Sequence, residues 1–191
     1  MNLECEFSVP LSKDISFEIL TDVLLIAPCI PGVTNIEQTD TRSYKGEATI
    51  KLGPVKLVFN GVGKVVDINL ETYTVIVTAS GTDKKGKGGA EAKVAFTLKD
   101  LMDEEKTKVT VNTELTLNGS IAQYGRASGL IEGVAQELTK EFSQNLETVL
   151  ASEDGSAFNA GEISGIKLLV KAGIRKLNFG KKKNSQCNPP P

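Results

Sequence analysis

Residues 44–61, YKGEATIKLGPVKLVFNG, contain two runs of alternating residues separated by the dipeptide Gly53-Pro54. In each run every second residue is small or apolar, and most of the residues between them are charged or polar. A period of two predicts a β-strand with one solvated face and one buried face. Because so short a connection can join only antiparallel neighbours, the stretch predicts a β-hairpin.

The same alternation recurs three times further along the chain. It is found in YTVIVTASG at residues 73–81, AEAKVAFTLK at 90–99 and TKVTVNTELTLNG at 107–119. Short turn signals separate these runs, at residues 69–71, 83–89 and 99–106. The sequence therefore predicts an antiparallel meander whose apolar face needs a cover.

The hydrophobic period then changes from two residues to 3.6. Between residues 121 and 150, apolar side chains recur at helical spacing, with charged and polar residues off the stripe. The stripe comprises Tyr124, Ile131, Ala135, Leu138, Phe142, Leu146 and Val149. A shorter helix is predicted at SKDISFEIL, residues 12–20, capped by Ser12 or Asp14. We expect an α+β fold in which a curved antiparallel sheet wraps around a long C-terminal helix.

Composition excludes several classes of protein. The chain has 191 residues, of which 40% are hydrophobic, and a formal net charge of −2, which disfavours a nucleic-acid partner. It has no histidine, so Ser-His-Asp and Cys-His catalytic sites are excluded. The three cysteines, Cys5, Cys29 and Cys187, lack the spacing of a metal motif, and we expect no metal site. The N-terminus does not resemble a signal peptide and no apolar run reaches ~20 residues, so a cytoplasmic protein is expected.

Small residues are unusually frequent in the predicted strands and helix. They are Gly46, Ala48, Gly61, Gly63, Ala79 and Ala92 in strands, and Ala122, Gly125, Gly129 and Gly133 in the helix. Glycine weakens both kinds of element, so its presence needs a reason. Close packing of helix on sheet is one reason, and a cavity between them is the other. On the glycines alone, packing is the better interpretation because protein interiors are normally filled.

Four motifs occur in an order that resembles a known family. They are CIPG at residues 29–32, KLGPVKLVFNG at 51–61, GKGGAEAKVAFTL at 86–98 and GSIAQYGR at 119–126. Together they resemble the CoxG family of carbon monoxide dehydrogenase, a branch of the START-related helix-grip (SRPBCC) superfamily, over residues 3–150. The resemblance implies a sheet that grips a long helix, with an apolar tunnel between them. It also implies an accessory protein that places a molybdenum hydroxylase of the carbon monoxide dehydrogenase type at the membrane, for electron transfer to quinone.

With this resemblance, a cavity becomes the better interpretation of the small residues. The expected lining consists of the inward-facing residues, which are every second residue of the strands and the sheet-facing side of the helix. They are Ala48, Ile50, Leu57, Phe59, Val75, Val77, Val94, Phe96, Val111, Leu115, Tyr124, Ser128 and Ile131. Such a lining suits a lipid-like ligand, and we expect a non-covalently bound isoprenoid quinone and no covalent cofactor. Tyr124 and Gln123 are candidate donors to a quinone carbonyl. The alternative for Tyr124 is a half-buried tyrosine whose hydroxyl lies in water.

The C-terminal segment differs in charge from the rest of the chain. Residues 163–191 hold seven basic residues and no acidic ones, so the net charge of −2 leaves −9 on residues 1–162. On a helix, Ile163, Ile166, Val170, Ile174 and Leu177 share one face, and Lys167, Lys171, Arg175, Lys176, Lys181, Lys182 and Lys183 supply the positive charge. We expect this helix to lie on an anionic membrane surface, the inner face of the cell membrane. Docking on the rest of the chain or on a partner enzyme is the alternative.

These observations give a domain plan and three functional hypotheses. The plan is a ligand-binding domain at 1–151, a flexible linker at 152–162, an amphipathic helix at 163–180 and a disordered tail at 181–191. The leading hypothesis is a non-enzymatic, quinone-binding adaptor that recruits the dehydrogenase to the membrane. The second is an assembly factor for that dehydrogenase without a ligand. The third is a cyclase or hydrolase acting on a hydrophobic substrate, which the aliphatic lining disfavours.

Overall fold

The computed structural model describes residues 1–101, 106–126 and 128–151, without the side chain of Ser128. These residues form seven strands: β1 (Asn2–Val9), β2 (Val33–Asp40), β3 (Ser43–Leu52), β4 (Val55–Asn69), β5 (Thr74–Asp83), β6 (Gly89–Leu101) and β7 (Lys106–Leu117). They also form four helices: α1 (Lys13–Thr21), α2 (Val23–Ile26), α3 (Ala122–Gly125) and α4 (Ser128–Ala151). Single 3-10 turns cover Ala27–Cys29 and Gly119–Ile121.

All seven strands belong to one antiparallel sheet. Its order is β1-β7-β6-β5-β4-β3-β2, so β2 to β7 follow one another as a meander and β1 closes the far edge by pairing with β7. The predicted α+β fold and the predicted meander are confirmed. β2 was not predicted, because its sequence VTNIEQTD is largely polar and its pairing with β3 is irregular.

Helix α4 covers the inner face of the sheet with the predicted apolar stripe. Ile131 and Leu146 of the stripe are buried, as is Leu150, which was not part of the predicted stripe, while most of the polar residues between them are exposed. The ring of Phe142 meets that of Phe7 on β1 edge to face, with centroids 5.4 Å apart. Apolar burial of this kind supplies most of the stability of a helix in a protein.

The core consists of two hydrophobic clusters, and α4 contributes to both. The first cluster contains Val9, Leu11, Phe17, Ile19, Leu20, Leu25, Cys29, Val65, Val75, Leu98, Val109, Leu146 and Leu150. The second contains Leu3, Leu52, Leu57, Phe59, Ile121 and Ile131. The N-terminal half of α4 therefore packs on the second cluster and its C-terminal half on the first.

Helix α1 begins after Ser12, in agreement with the sequence, although the Ser12 side chain makes no capping hydrogen bond. A polar cluster fastens the helix to the sheet: the Tyr73 hydroxyl donates to Asp14, and Lys13 forms an ion pair with Asp100 at 2.9 Å. The Lys13 ammonium also lies 4.3 Å from the centroid of the Tyr73 ring.

The glycine-rich segment between β5 and β6 is a hairpin turn, as predicted. Buried Asp83 accepts backbone N–H groups of Val58, Lys85 and Lys87 at 3.3, 3.1 and 3.3 Å. Gly88 has φ +139°, and a Cβ there would lie 2.1 Å from the Asn118 carbonyl oxygen, so only glycine fits. The turn is thus shaped by close backbone approach.

Several predictions concern residues beyond these ranges. The linker at 152–162, the amphipathic helix at 163–180 and the tail at 181–191 all lie outside the described residues. Within the described ranges, no helix has the length and apolar character that a membrane crossing requires. The same ranges hold no group of three or more side chains that could bind a metal ion.

Candidate ligand pocket

Two rows of small residues cross the middle of the sheet. In the first row, Gly46 pairs with Gly61, Gly61 with Gly81, and Gly81 with Ala90. Directly paired residues in an antiparallel sheet share one face, so the row occupies the inner face from β3 to β6. The second row runs beside it and consists of Gly63, Ala79 and Ala92, with the larger Tyr44 of β3 paired to Gly63 at its end. From β4 to β6, both rows contain only glycine and alanine on the inner face, so little side-chain volume fills the space above them.

An apolar pocket of about 360 Å³ lies over these two rows. Ala48, Ile50 and Phe59 wall one end, and Val65 and Val77 wall the other. The other apolar lining residues are Val23 of α2, Ile30 of the segment that follows it, and Val33 and Ile36 of the edge strand β2. The volume is near the lower end of the roughly 300–1,000 Å³ typical of small-molecule pockets. The pocket lies where the two hydrophobic clusters adjoin, since residues of both line it.

Four of the predicted site residues line this pocket: Ala48, Ile50, Phe59 and Val77. The others lie outside the pocket lining. Leu57 and Val75 are fully buried, Phe96 and Val111 pack on the first cluster, and Leu115, Tyr124 and Ile131 belong to the second. Val94 is half-buried, and the side chain of Ser128 is not described. Ligand contacts by any of these residues stay predictions.

The cover of the pocket differs from the expectation. The sequence pointed to a space between the sheet and the long helix, whereas in the described residues the lining comes from strands of the sheet, including β2, and from Val23 and Ile30. Asn145 of α4 donates a hydrogen bond of 3.1 Å to the carbonyl of Cys29, immediately before Ile30. Helix α4 therefore contacts the segment that leads into β2, and none of its described side chains belongs to the pocket lining.

Sequence reasoning missed two groups of lining residues. Tyr44, Val65 and Ala90 have the same strand parity as the predicted residues, so parity could have found them. Val23, Ile30, Val33 and Ile36 carried no such signal, because α2 is a single turn and β2 is irregular. The small strand residues singled out in the sequence, by contrast, do line the pocket.

Tyr44 brings a hydroxyl group to this apolar lining. Its side chain is half-buried on the inner face of β3. Burial, and then the negative charge of Asp22, raise the pKa of the Tyr44 phenol above its ordinary value. Asp22 itself accepts the backbone N–H of Leu25 at 3.1 Å and so caps α2. The phenol therefore keeps its proton at neutral pH.

Two larger grooves, of about 720 and 590 Å³, lie on the other side of the same rows. Their linings include Lys45, Glu47 and Glu91 in the first, and Lys64 and Lys93 in the second. Both signs of charge are interspersed along them. Although both are larger, neither has the convergence of apolar walls that a buried ligand site requires.

A scan against family models identifies the family. The model for CoxG, the G subunit of carbon monoxide dehydrogenase, matches residues 5–151. The chain belongs to the CoxG family. Membership associates it with carbon monoxide dehydrogenase in an accessory role, in agreement with the sequence motifs. A search of curated proteins finds no match for this CoxG chain.

Solved structures share the fold of this CoxG-family chain. A conserved protein from Geobacillus kaustophilus is 19% identical, with a TM-score of 0.63 over 78% of this chain and 95% of its own. The Zhui aromatase/cyclase from Streptomyces sp. R1128 is 12% identical, with a TM-score of 0.56 over 84% and 99%. Ara h 8.0201 is 16% identical, with a TM-score of 0.52 over 78% and 98%. Together they support the helix-grip architecture.

Proposed function

We propose that this CoxG-family chain is a non-enzymatic adaptor that binds a lipid-like ligand, an isoprenoid quinone, in the apolar pocket. In this role it recruits a molybdenum hydroxylase of the carbon monoxide dehydrogenase type to the cytoplasmic face of the membrane. The observation that carries the ligand proposal is the pocket lining, whose inner-face residues are mostly aliphatic and small. Family membership carries the association with the dehydrogenase.

The two rows of small residues leave the space that a flat ring needs. Because mainly backbone atoms line the sheet side of the pocket there, a ring can approach the sheet closely without displacing core side chains. An aromatic ring buries about 150 Å² or more. At ~25 cal/mol per Å², that burial would contribute about 4 kcal/mol to binding. The pocket alone therefore supports moderate affinity, and the isoprenoid tail would add to it.

The pocket supports an adaptor more than an enzyme. The chain has no histidine, and the inner-face residues of the lining are aliphatic, small or aromatic, with the Tyr44 phenol as their polar group. General acid–base catalysis needs a group whose pKa lies near the working pH. The Tyr44 phenol, whose pKa is raised, is a poor general base. The cyclase hypothesis therefore lacks a candidate residue on the inner face of this pocket.

Membrane recruitment rests on charge and pattern in the sequence. Residues 163–191 carry seven positive charges next to an apolar face, whereas residues 1–162 carry −9. Each basic residue near an anionic surface contributes about 1 kcal/mol. The basic segment would bind the membrane while the acidic domain stays away from it, with its surface accessible to the dehydrogenase.

The test of the ligand proposal is mass spectrometry of the organic extract of the purified protein. The protein would come from quinone-containing cells, and Gly63→Leu, which fills the pocket, would be extracted in parallel. We expect near-stoichiometric isoprenoid quinone from the natural chain and little from the variant. If the natural chain yields none and takes up no added quinone, the ligand-free assembly factor becomes the better account.

A further inference from the structure

We propose that the Tyr44 hydroxyl donates a hydrogen bond to an oxygen acceptor on the ligand, and so selects ligands that carry a carbonyl group at one end. This inference rests on the proposed function and deepens it. It assigns the polar recognition to β3 and not to Tyr124, the residue that the sequence indicated. The chemistry expected of the ligand is a neutral carbonyl at the Tyr44 end and an apolar remainder.

The first argument is that the Tyr44 hydroxyl has no hydrogen-bond partner among the described residues. The Tyr73 hydroxyl, in contrast, donates to Asp14. No buried side-chain oxygen of the described residues lacks a hydrogen-bond partner, so the Tyr44 hydroxyl keeps contact with solvent. A ligand in the pocket would displace that water, and an acceptor on the ligand would then satisfy the donor.

The second argument is the space beside the Tyr44 ring. Its neighbour across the strand pair is Gly63, followed in the same row by Ala79 and Ala92. A Cβ built at Gly63 would meet only the Thr78 carbonyl oxygen, at 3.9 Å. A flat head group can therefore lie on this row with its edge toward the Tyr44 hydroxyl.

The third argument is charge. The carboxylate of Asp22 interacts with Tyr44 and favours the protonated phenol. The protonated phenol can donate a hydrogen bond to an acceptor on the ligand. The negative charge of Asp22, which acts on the phenol, would disfavour an anionic acceptor beside it, and the apolar inner-face residues penalise any charged group. A neutral carbonyl oxygen meets both conditions.

The two ends of the pocket also differ in chemistry. Tyr44 lies at one end of the lining and Ile50 at the other, six positions along β3. At ~3.4 Å per residue, this distance is about 20 Å. Ala48, Ile50 and Phe59 form an aliphatic and aromatic end that suits a hydrocarbon chain. The head group is thus expected at Tyr44 and the chain toward Ile50.

The experiment compares two probes on three forms of the full chain. The probes are a naphthoquinone with one short isoprenoid tail and a naphthalene with the same tail and no oxygen atoms. The proteins are the natural chain, Tyr44→Phe and Tyr73→Phe, the last serving as control because Tyr73 is not in the pocket lining and its hydroxyl donates to Asp14. Tyr44→Phe should weaken quinone binding about 3- to 10-fold and leave the naphthalene within about twofold. Tyr73→Phe should change neither affinity.

An infrared spectrum of the bound quinone gives a second measurement. A hydrogen bond from Tyr44 should lower the carbonyl stretching frequency in the natural chain, and Tyr44→Phe should return it to the value in an apolar solvent. Thermal unfolding checks that each variant is folded. Because the frequency is read on bound quinone, it does not depend on how much affinity the variant retains.

Each outcome has a distinct meaning. If the natural chain binds neither probe, the proposed function fails and this inference fails with it. If it binds both and Tyr44→Phe changes neither the affinity nor the frequency, the pocket stands and Tyr44 recognition is wrong. If Tyr44→Phe weakens both probes equally with an unshifted carbonyl band, Tyr44 acts by packing alone, which also overturns the inference.

Discussion

Among single residues, Gly63 controls the free volume of the pocket most directly. It lies on the inner face, and a Cβ there would contact only the Thr78 carbonyl oxygen at 3.9 Å. Gly63→Leu should therefore fold and place its side chain in the pocket. We expect at least a tenfold loss of affinity for a prenylated naphthoquinone, measured by calorimetric titration.

Gly133→Leu is the matched control for this change. Gly133 is exposed on α4, and a Cβ there meets no atom within 4 Å. The substitution should stabilise the helix by up to about 1 kcal/mol and leave affinity unchanged. If both variants bound the quinone equally well, the pocket over the two rows of small residues would not be the ligand site.

Asp83 makes the stability of the fold depend on pH. Burial alone would raise the pKa of this carboxyl, but the backbone N–H groups of Lys87, Val58 and Lys85 outweigh burial and hold the pKa below its ordinary value of 3.8. A carboxyl whose pKa is lower in the folded state stabilises the fold above its unfolded pKa. That contribution should be lost as the pH falls from about 4 through the folded pKa.

Urea unfolding of the natural chain and Asp83→Asn tests this assignment. The variant should be less stable at neutral pH, because the carboxylate bonds to the turn are weakened. The difference between the two proteins should shrink as the pH falls through the folded pKa, since both side chains are then neutral. A difference that stayed constant over this whole range of pH would contradict the assignment.

At the scale of elements, α4 depends on its apolar stripe for docking. Leu146 is 2% exposed and packs in the first cluster, whereas its neighbour Glu147 is exposed. Leu146→Ala should lower the free energy of unfolding by about 2–5 kcal/mol, through lost burial and the cavity it leaves. Glu147→Ala should change it by less than about 0.5 kcal/mol. Thermal and urea denaturation would distinguish these values.

The elements that the sequence predicted are those with a strong period. Polar and apolar residues alternate in the strands from Tyr44 to Leu117 because one face of each strand contacts solvent. Helix α4 shows an apolar stripe with a period of 3.6 residues because one of its faces packs on the core. β2 escaped prediction because only Val33 and Ile36 of its eight residues are partly buried. A strand so exposed is specified by pairing with β3, which is a tertiary contact and leaves no pattern in its own sequence.

At the scale of the whole molecule, the pocket also shows what a sequence pattern can and does not predict. The alternation of residues along the strands identified Ala48, Ile50, Phe59 and Val77 because they share the inner face. It could not separate them from Leu57 or Val75, which have the same parity but lie in filled regions of the core. The pocket differs from the packed core because the cross-strand register aligns glycines from β3, β4 and β5 into one row. Register depends on all the strands together.

The charge asymmetry of the chain gives a prediction for the whole molecule. Residues 163–191 hold seven basic residues, and the described domain ends before them at Ala151. The full chain should float with vesicles that contain anionic phospholipid, and a chain ending at Ala151 should stay in the soluble fraction. Raised salt should release the full chain, because screening weakens attraction to the surface.

Vesicles of neutral phospholipid provide the control for this flotation. Binding to them should be weak, since only the apolar face of the predicted helix would contribute. Circular dichroism should show that the chain ending at Ala151 keeps its fold. Flotation of that shortened chain with anionic vesicles would refute the assignment of membrane binding to the basic segment.

The irregular strand β2 also affects how copies of this protein meet in solution. In the described part of the chain it is the outer strand on its side of the sheet, with register breaks after Thr34 and Gln38 and a positive φ of 55° at Asn35. Regular, uncharged edges template the addition of strands from other molecules. Here an approaching strand would meet misaligned backbone groups and the exposed carboxylates of Glu37 and Asp40. The edge next to the pocket therefore disfavours the addition of a strand from another copy of the protein.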